Sequence, residues 1–299
     1  MTYPSHVELC EVGPRDGFQY EEKPIPTKLK RDIITKLANA GLPRIQVTSF
    51  VHPSWVPQMA DAEDLIEMLP PNDEVVYSGL VLNQKGMERA LGTDIQQVDL
   101  SIATNEQHSK DNVNMSVDEG VQQAEEVLNM AETEGIPAQL GLQTVFGYDD
   151  PGDTPLERVV DICERFASYG VESISLADST GMANPMMIKK RVHAVQDAIG
   201  DVPLVLHLHD TRGLGLANVM AALETGVRRF DTAMGGIGGC PFIPGATGNI
   251  CTEDTVYLLE SVGVETGVDM ASVAVCSREM EIFLDKQFPG KWHHLPESA

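Results

Sequence analysis

The sequence has no long apolar run, no cysteine pair and few basic residues. No stretch of eighteen consecutive apolar residues occurs, so we expect no transmembrane helix. The five cysteines are scattered and form no C-x-x-C pair, which indicates reduced thiols in a cytoplasmic protein and not a disulfide framework. With 21 Lys and Arg against 45 Asp and Glu, the formal net charge is −24. This balance disfavours nucleic acid or an anionic membrane as a partner.

The chain also lacks the features that divide a polypeptide into separate parts. The first residues show no basic segment followed by an apolar one, so no secretory signal is expected. No linker rich in Pro, Gly or Ser, no internal repeat and no low-complexity tract is found. We therefore expect one domain over residues 1–286, followed by a C-terminal tail over residues 287–299.

What the sequence does contain is a regular alternation of strand and helix patterns. The predicted strands are Val7–Val12, Arg44–Thr48, Glu74–Leu82, Gln96–Ala103, Ala138–Val145, Ser173–Ala177, Pro203–His207 and Phe230–Ala233. The predicted helices are Thr27–Ala40, Ala60–Leu69, Gln84–Leu91, Val117–Glu134, Pro155–Tyr169, Pro185–Ile199, Gly215–Thr225 and Glu253–Val262. Eight such units predict an α/β fold, a parallel (β/α)8 TIM barrel, with an open doubly wound sheet as the alternative. Additional C-terminal helices are expected over Val268–Leu284.

Two histidines at the predicted end of strand seven are the first candidates for chemistry. His207 and His209 are two residues apart, so they project from the same face of a strand. Paired imidazoles at a strand end are typical of metal ligands, although two hydrogen-bonded core histidines would give the same pattern. The segment Gly13–Gly17 follows strand one, and the loop Gly235–Asn249 follows strand eight. In a barrel these segments share the C-terminal rim, where active sites lie.

A mixed set of oxygen and nitrogen ligands is expected at this rim, from Asp16, His207, His209 and the amide oxygen of Asn249. Such a set suits Mg²⁺, Mn²⁺ or Co²⁺, with open positions for substrate and water. Zn²⁺ is a further candidate, but a structural zinc site is disfavoured because no thiolate pair accompanies the histidines. The alternative role for Asn249 is to stabilise the turn in which it lies.

The other polar residues at the rim each have a structural alternative. Arg15 either pairs with Asp16 or stabilises negative charge that develops on a carbonyl oxygen. Cys240, in a glycine-rich loop, is either a packed thiol or a proton donor above a metal. Glu11 and Asp178 are expected to orient Arg15 or the metal ligands. The loop itself fits neither a Walker motif nor the dinucleotide fingerprint.

Several longer motifs follow one another along the chain. They are Glu11–Gly17, Thr48–Val51, Trp55–Met59, Asp111–Asn114, Asp178–Gly181, His207–Thr211 and Gly235–Asp254. In this order they resemble the 3-hydroxy-3-methylglutaryl-CoA lyase family of the DRE-TIM metallolyase superfamily, and the resemblance covers nearly the whole chain. It implies a (β/α)8 barrel and a homodimer. It also implies a divalent metal held by Asp16, His207, His209 and Asn249.

The resemblance further implies a reaction on a small-molecule acyl-CoA substrate. A 3-hydroxyacyl-CoA would bind the metal through its C3 hydroxyl and a carboxylate, and loss of the hydroxyl proton would cleave C2–C3 in a retro-Claisen reaction. The products would be acetyl-CoA and a ketone or keto acid, with Arg15 stabilising the enolate and Cys240 returning a proton. The residues expected in catalysis are Glu11, Arg15, Asp16, Gln46, Asp178 and Cys240. The residues expected to bind substrate are Arg15, Gln19, Asn112, Gln143 and Arg212.

The sequence departs from the family pattern at positions that bear on the substrate. Gln46 stands at the end of strand two where these lyases carry Glu, and an amide carries neither a charge nor a transferable proton. Tyr20 replaces the usual Asn, Arg212 begins an altered run after the histidines, and Gln143–Gly147 replaces a turn that contains Ser-Cys. We therefore expect a related 3-hydroxyacyl-CoA as substrate, with 3-hydroxy-3-methylglutaryl-CoA itself as the close alternative.

Two further functions agree with the same residues. One is a superfamily aldolase or Claisen-type condensing enzyme that acts on a 2-keto acid, although Cys240 and its loop favour the CoA lyase. The other is a non-catalytic metal-binding relative, in which Gln46 marks lost activity. Assays with a panel of acyl-CoAs, with and without metal, distinguish these functions.

Overall fold

A computed structural model of the chain describes residues 3–239 and 247–296. Eight parallel strands in these residues form a closed barrel, in which each strand pairs with the next and β8 pairs with β1. The strands are β1 Glu8–Glu11, β2 Arg44–Ser49, β3 Val76–Val81, β4 Gln97–Ala103, β5 Ala138–Gln143, β6 Ser173–Ala177, β7 Leu204–His207 and β8 Arg229–Thr232. The predicted TIM barrel is therefore confirmed, and the open sheet is wrong.

The part of the chain that the structure describes contains ten α-helices, which connect the strands and extend the barrel at its C-terminal end. They are α1 Thr27–Asn39, α2 Ala62–Met68, α3 Gln84–Leu91, α4 Glu106–Val113, α5 Val117–Glu134, α6 Leu156–Ala167, α7 Pro185–Ile199, α8 Gly215–Leu223, α9 Thr252–Ser261 and α10 Met270–Leu284. None of the described helices is both long enough and apolar enough to span a bilayer.

The longest helix, α5, shows why these segments are helical. The Ser116 side chain accepts a hydrogen bond from the Glu119 backbone, and the Glu119 side chain bonds back to the Ser116 backbone, which forms a capping box. Gly135 ends the helix in the left-handed conformation at φ 69°. Between these ends, apolar residues at helical spacing form one buried face. They are Val117, Val121, Ala124, Val127, Leu128 and Ala131.

Helix α4 was absent from the sequence prediction. Within it only His108 and Ser109 are buried, so the apolar periodicity that indicates a helix is missing. Its start is instead defined by Asn105, whose side chain accepts hydrogen bonds from the backbone of Gln107 and His108. The cap was therefore the one signal in the sequence from which this helix could have been inferred.

Strand β5 ends two residues earlier than predicted, at Gln143. The next residue, Thr144, has a positive φ of 56°, which turns the chain away from the sheet. The backbone N–H of Val145 then bonds to the carbonyl of Ala177 at the end of β6. The rim above β5 and β6 is therefore formed by a tight turn and not by an extended strand.

The segment after α10 packs against the loop that follows β8. Asp285 ends the helix at φ 54°, and the chain then turns back, with Phe288 and His293 fully buried. The backbone N–H of Gly290 bonds to the carbonyl of Gly235 at 2.8 Å. A Cβ on Gly235 would lie 2.5 Å from the Phe288 ring, so the close packing of these two segments requires glycine at this position.

Candidate active site

The loop after β1 carries Arg15 and Asp16 on a short π-helical turn, Gly13–Gly17. Pro14 fixes the start of this turn, and the backbone N–H groups of Arg15 and Asp16 both bond to the Val12 carbonyl. A Cβ on Gly17 would lie 2.5 Å from the Ile237 side chain of the loop after β8. The glycine therefore lets the first and last loops of the barrel meet.

The loop after β8 returns to β7 and brings Asn249 beside the two histidines. His209 and Asn249 form an isolated antiparallel bridge, flanked by hydrogen bonds from Ile250 N to Leu208 O at 3.0 Å and from Asp210 N to Gly248 O at 2.8 Å. These backbone contacts, and not proximity in sequence, hold the amide next to the imidazoles. Asn249 then donates from Nδ2 to Asp16 Oδ2 at 2.7 Å.

The four predicted metal ligands converge in one buried group. The Nε2 atoms of His207 and His209 are 3.2 Å apart, and His207 Nε2 lies 4.0 Å from Asp16 Oδ2. Among the described residues, the amide oxygen of Asn249 is buried and has no hydrogen-bond partner. A carboxylate and two imidazoles whose ligand atoms lie within 4.8 Å of one another, with an unpaired amide oxygen on the neighbouring Asn249, are a donor set that fits a divalent ion.

The pKa values of two of these groups, Asp16 and His209, also favour ligand forms at neutral pH. Burial alone would raise the pKa of Asp16, but Arg15, His207 and His209 lower it to about 2. Burial, together with the charge of His207, lowers the pKa of His209 to about 3. The Asp16 carboxylate is therefore ionised and the His209 ring neutral, as metal binding requires.

Asp231 of β8 is a candidate functional residue that the sequence analysis missed. Its Oδ2 atom lies 3.3 Å from Nδ1 of His207, so it orients the imidazole and leaves Nε2 directed toward His209. Burial by itself would lower the pKa of His207, but Asp231 and Asp16 raise it. In the sequence, the signal for Asp231 was its position as a carboxylate within an otherwise apolar strand pattern.

Arg15 is held from two sides. Its Nη1 atom donates to Asp16 Oδ1 at 2.6 Å, and its Nε atom donates to Oε1 of Gln46. Gln46 in turn donates from Nε2 to Oδ2 of Asp99 on β4 at 2.5 Å, and Asp99 also accepts a hydrogen bond from Arg44 at 2.5 Å. The carboxylate nearest to this amide is therefore Asp99, a second residue that the sequence analysis missed.

Glu11 lies below the rim and joins three segments. It accepts hydrogen bonds from the backbone of Gly13 at 2.8 Å and of Met234 at 2.9 Å, and from the hydroxyl of Thr252 at 2.7 Å. Burial raises the pKa of Glu11 to about 8, although these hydrogen bonds favour the ionised form. The geometry gives Glu11 a positioning contact with both active-site loops and no opening to solvent.

Asp178 and Arg212 both contact the backbone of the loop after β6. Asp178 accepts hydrogen bonds from the backbone of Met182 at 2.8 Å and of Ala183 at 3.1 Å, and burial raises its pKa to about 7. Arg212 donates from Nη1 to the carbonyls of Thr180 at 2.7 Å and Gly181 at 3.0 Å. The two side chains, which follow the adjacent strands β6 and β7, therefore both fix this loop.

The remaining predicted substrate contacts fall into two places. Gln19 donates to Asp16 at 3.1 Å and thus belongs to the central group. Asn112 on α4 donates to Gln143 at 3.4 Å, and Gln143 donates to Ser101 at 2.8 Å, so these residues form a separate patch above β4 and β5. Cys240, predicted as a catalytic thiol, lies outside the described residues.

Comparisons with known proteins point to one family. The sequence model of the HMGL-like family matches residues 6–279. Hydroxymethylglutaryl-CoA lyase YngG of Bacillus subtilis (strain 168) is 37% identical over 291 residues, which cover 97% of each chain. The hydroxymethylglutaryl-CoA lyase of Pseudomonas mevalonii is 39% identical over 268 residues, covering 90% of this chain and 89% of that one.

A solved structure extends the similarity to three dimensions. The HMG-CoA lyase of Acinetobacter baumannii, in complex with coenzyme A and 3-methylmalate, is 37% identical and superposes with a TM-score of 0.91. The match covers 97% of this chain and 95% of that one. Insertions or missing elements therefore account for little of the difference between the two chains.

Replacing Glu11 tests its buried, protonated state. Its folded pKa of about 8 lies above the ordinary value of 4.5, so the folded chain keeps a proton that the unfolded chain releases between these pH values. We expect the stabilisation that this proton gives to the folded chain to be complete below pH 4.5. The free energy of unfolding should then fall by up to about 1.4 kcal/mol per pH unit until pH reaches about 8. Urea unfolding in EDTA should show that Glu11→Gln removes this loss.

The matched control is Glu8→Gln, which changes an intermediate-exposure carboxylate on the same strand that pairs with Arg229. This variant should lose stability with rising pH as the wild-type chain does. Parallel curves for the wild-type chain and Glu11→Gln would contradict the prediction.

The substitution Gln46→Glu should be destabilising because of Asp99. It would replace a donor that lies 2.5 Å from a buried carboxylate with a second carboxylate. We expect a loss of about 2 kcal/mol in the free energy of unfolding near neutral pH, smaller at low pH where the pair shares a proton. In a double-mutant cycle, we expect a coupling free energy of about 1 kcal/mol or more between Gln46→Glu and Asp99→Asn. The double variant should be less destabilised than the sum of the two single variants.

Gln139→Glu provides the matched control for this cycle. Gln139 Oε1 accepts hydrogen bonds from Arg44 at 2.6 Å and Ser173 at 2.8 Å, so a carboxylate there would face two donors. Its effect should be small. Additive losses for Gln46→Glu and Asp99→Asn would show that the two side chains do not interact as described.

Proposed function

This chain belongs to the HMGL-like family, and on that premise we propose that it cleaves a 3-hydroxyacyl-CoA of the 3-hydroxy-3-methylglutaryl-CoA type to acetyl-CoA and a keto acid. The chain is a carbon–carbon lyase. The observation that carries the proposal is the convergence of Asp16, His207, His209 and Asn249, with the Arg15 guanidinium bonded to one of them.

A divalent ion, Mg²⁺ or Mn²⁺, is our proposal for the cofactor, held by Asp16, His207, His209 and Oδ1 of Asn249. The unpaired amide oxygen and the facing imidazole nitrogens support this assignment. When bound, the ion would polarise the substrate hydroxyl and carboxylate as a Lewis acid. Asp231 would keep the His207 ring in the orientation that binding requires.

Arg15 is proposed to stabilise the enolate of the leaving acetyl-CoA. Gln46 and Asp16 engage its Nε and Nη1 atoms, which fixes the guanidinium plane and, within the described residues, leaves Nη2 for the thioester oxygen. A donor that is fixed before the charge develops stabilises it without reorganisation. Gln46 supports this role because its amide group links Arg15 to the Asp99 carboxylate by hydrogen bonds.

Asp178 is proposed to take the proton of the C3 hydroxyl. Its pKa of about 7 suits a group that gains and loses a proton near neutral pH, and both His207 and Arg212 interact with its charge. Loss of that proton breaks C2–C3, and the bonding electrons pass to the thioester as an enolate. We assign the return of a proton to C2 to Cys240, as expected from the sequence.

The substrate is proposed to carry a free carboxylate beyond the reacting hydroxyl. The similar Acinetobacter baumannii structure holds coenzyme A together with 3-methylmalate, a hydroxydicarboxylate. A site that combines open metal positions with Arg15 suits such a molecule. In a chain with net charge −24, these local cations are what an anionic substrate needs.

We also propose that the enzyme is a cytoplasmic homodimer. Free thiols at Cys10, Cys163, Cys251 and Cys276 support a reducing compartment. Val275 and Ile282 of α10 lie seven residues apart on one helix face and are 49% and 82% exposed, which supports an interface there.

Acetyl-CoA release from 3-hydroxy-3-methylglutaryl-CoA and from other 3-hydroxyacyl-CoAs tests the reaction. We expect release with Mg²⁺ or Mn²⁺ and none in EDTA. His207→Ala should lower kcat at least about 100-fold because it removes a ligand. The matched control is His193→Ala on α7, an exposed histidine, which should keep wild-type activity. Full activity in EDTA or in His207→Ala would overturn the metal site; inactivity on every acyl-CoA would overturn the reaction.

Sedimentation velocity tests the dimer. The wild-type chain should sediment as two chains, and Ile282→Glu should shift it toward one chain because a charge would enter an apolar interface. Met186→Glu, at a position on α7 that is 75% exposed, should not change the mass. A wild-type mass equal to one chain of 32.5 kDa would exclude the dimer.

A further inference from the structure

A second group of ligand-type side chains lies where α9, α10 and the C-terminal segment meet. Cys251 precedes α9, Glu253 lies in its first turn, and His293 lies in the 3₁₀ turn Trp292–His294. All three are buried, Glu253 and His293 completely. The Cys251 sulfur, a Glu253 oxygen and a His293 ring nitrogen lie within 4.8 Å of one another. None of these residues belongs to the proposed active site.

The His293 ring has the arrangement of a metal-binding histidine. Its Nδ1 atom lies 3.9 Å from Glu253 Oε1 and has no hydrogen-bond partner among the described residues. Its Nε2 atom lies 3.3 Å from Oε1 of Glu281 on α10. Metal-bound imidazoles typically use one nitrogen for the ion and donate the other N–H to a carboxylate. A buried ring nitrogen without a partner is otherwise unfavourable.

The buried surroundings of the Glu253 side chain also favour a cation as partner. Its carboxylate accepts hydrogen bonds from Gly235 N at 2.9 Å, Ser277 Oγ at 2.5 Å and Cys251 Sγ at 3.0 Å. Within residues 3–239 and 247–296, no Lys or Arg forms an ion pair with it. A fully buried carboxylate is normally paired with a cation or bound to a metal.

We propose that Cys251, Glu253 and His293 bind a Zn²⁺-type transition-metal ion. A thiolate with an imidazole selects Zn²⁺ or Co²⁺ over Mg²⁺, which prefers oxygen ligands. Bonds of about 2.0–2.3 Å in a tetrahedral site separate the ligand atoms by about 3.3–3.8 Å. The separations of 3.0 Å from Cys251 Sγ to Glu253 Oε2 and of 3.9 Å from His293 Nδ1 to Glu253 Oε1 lie close to that range. A water molecule or the second Glu253 oxygen completes the coordination.

Such an ion would fasten the C-terminal segment to the base of the loop after β8. Glu253 contacts the backbone of Gly235 directly, and Gly290 bonds to the same residue from the C-terminal side. His293 is the ligand that comes from beyond α10. Binding would therefore join two parts of the chain that are distant in sequence, the start of α9 and the C-terminal segment, beside Gly235, and its role is structural.

Cobalt titration of the intact metal-free chain tests the site. We expect two Co²⁺ ions per chain, one of which gives a thiolate-to-cobalt charge-transfer band in the near ultraviolet. Cys251→Ala and His293→Gln should each lose one ion, and Cys251→Ala should lose the band. His207→Ala should lose the other ion and keep the band, which separates this site from the proposed active site.

Matched variants control for other thiols and for the neighbouring histidine. Cys240→Ser and Cys276→Ala should keep the band. His294→Gln should keep both ions because His294, although its ring packs against His293, bonds to Glu281 and is not one of the three ligands. In a His207→Ala background, Zn²⁺ but not Mg²⁺ should raise Tm. The proposal is overturned by one Co²⁺ per chain without a thiolate band, by a band that depends on Cys240, or by a Tm that Zn²⁺ leaves unchanged.

Discussion

The parallel pairing of β1 with β8 is the contact on which the rest of the structure depends. It closes the barrel, with Glu8 opposite Arg229 and Glu11 opposite Thr232. Only a closed barrel brings the loops after the first, seventh and eighth strands to one rim. Asp16 can then accept a hydrogen bond from Asn249, although 233 residues separate them in sequence. The group of candidate ligands is therefore a product of topology as much as of residue type.

Two buried glutamate and aspartate side chains near this seam show how environment decides charge. Asp16 faces a guanidinium and two imidazoles, so its pKa falls to about 2 despite burial. Glu11 faces hydrogen-bond donors without a cation, so desolvation prevails and its pKa rises to about 8. One chain segment thus holds an ionised candidate ligand and, five residues earlier, a carboxyl group that stays neutral and positions the loops around it.

The sequence predicted most of the fold because eight strand and helix periods are regular and glycines mark several helix ends. It predicted Asp16, His207, His209 and Asn249 because their motifs follow strands. It missed α4, whose helix depends on the Asn105 cap and not on an apolar face. It also missed Asp99, Asp231 and His293, because their importance arises from partners on other elements. Gln46 is the clearest case: its meaning changes once Asp99 is seen beside it.

The contacts of Glu11 have a consequence for how the protein is made. Its hydroxyl partner, Thr252, lies 241 residues later, so β1 leaves the ribosome long before its partners exist. Until β8 and α9 have been synthesised, β1 offers an unpaired edge and an unsatisfied carboxyl group. Late, long-range closure of this kind makes folding slow and partly post-translational, and nascent chains that stall before α9 become natural clients for chaperones.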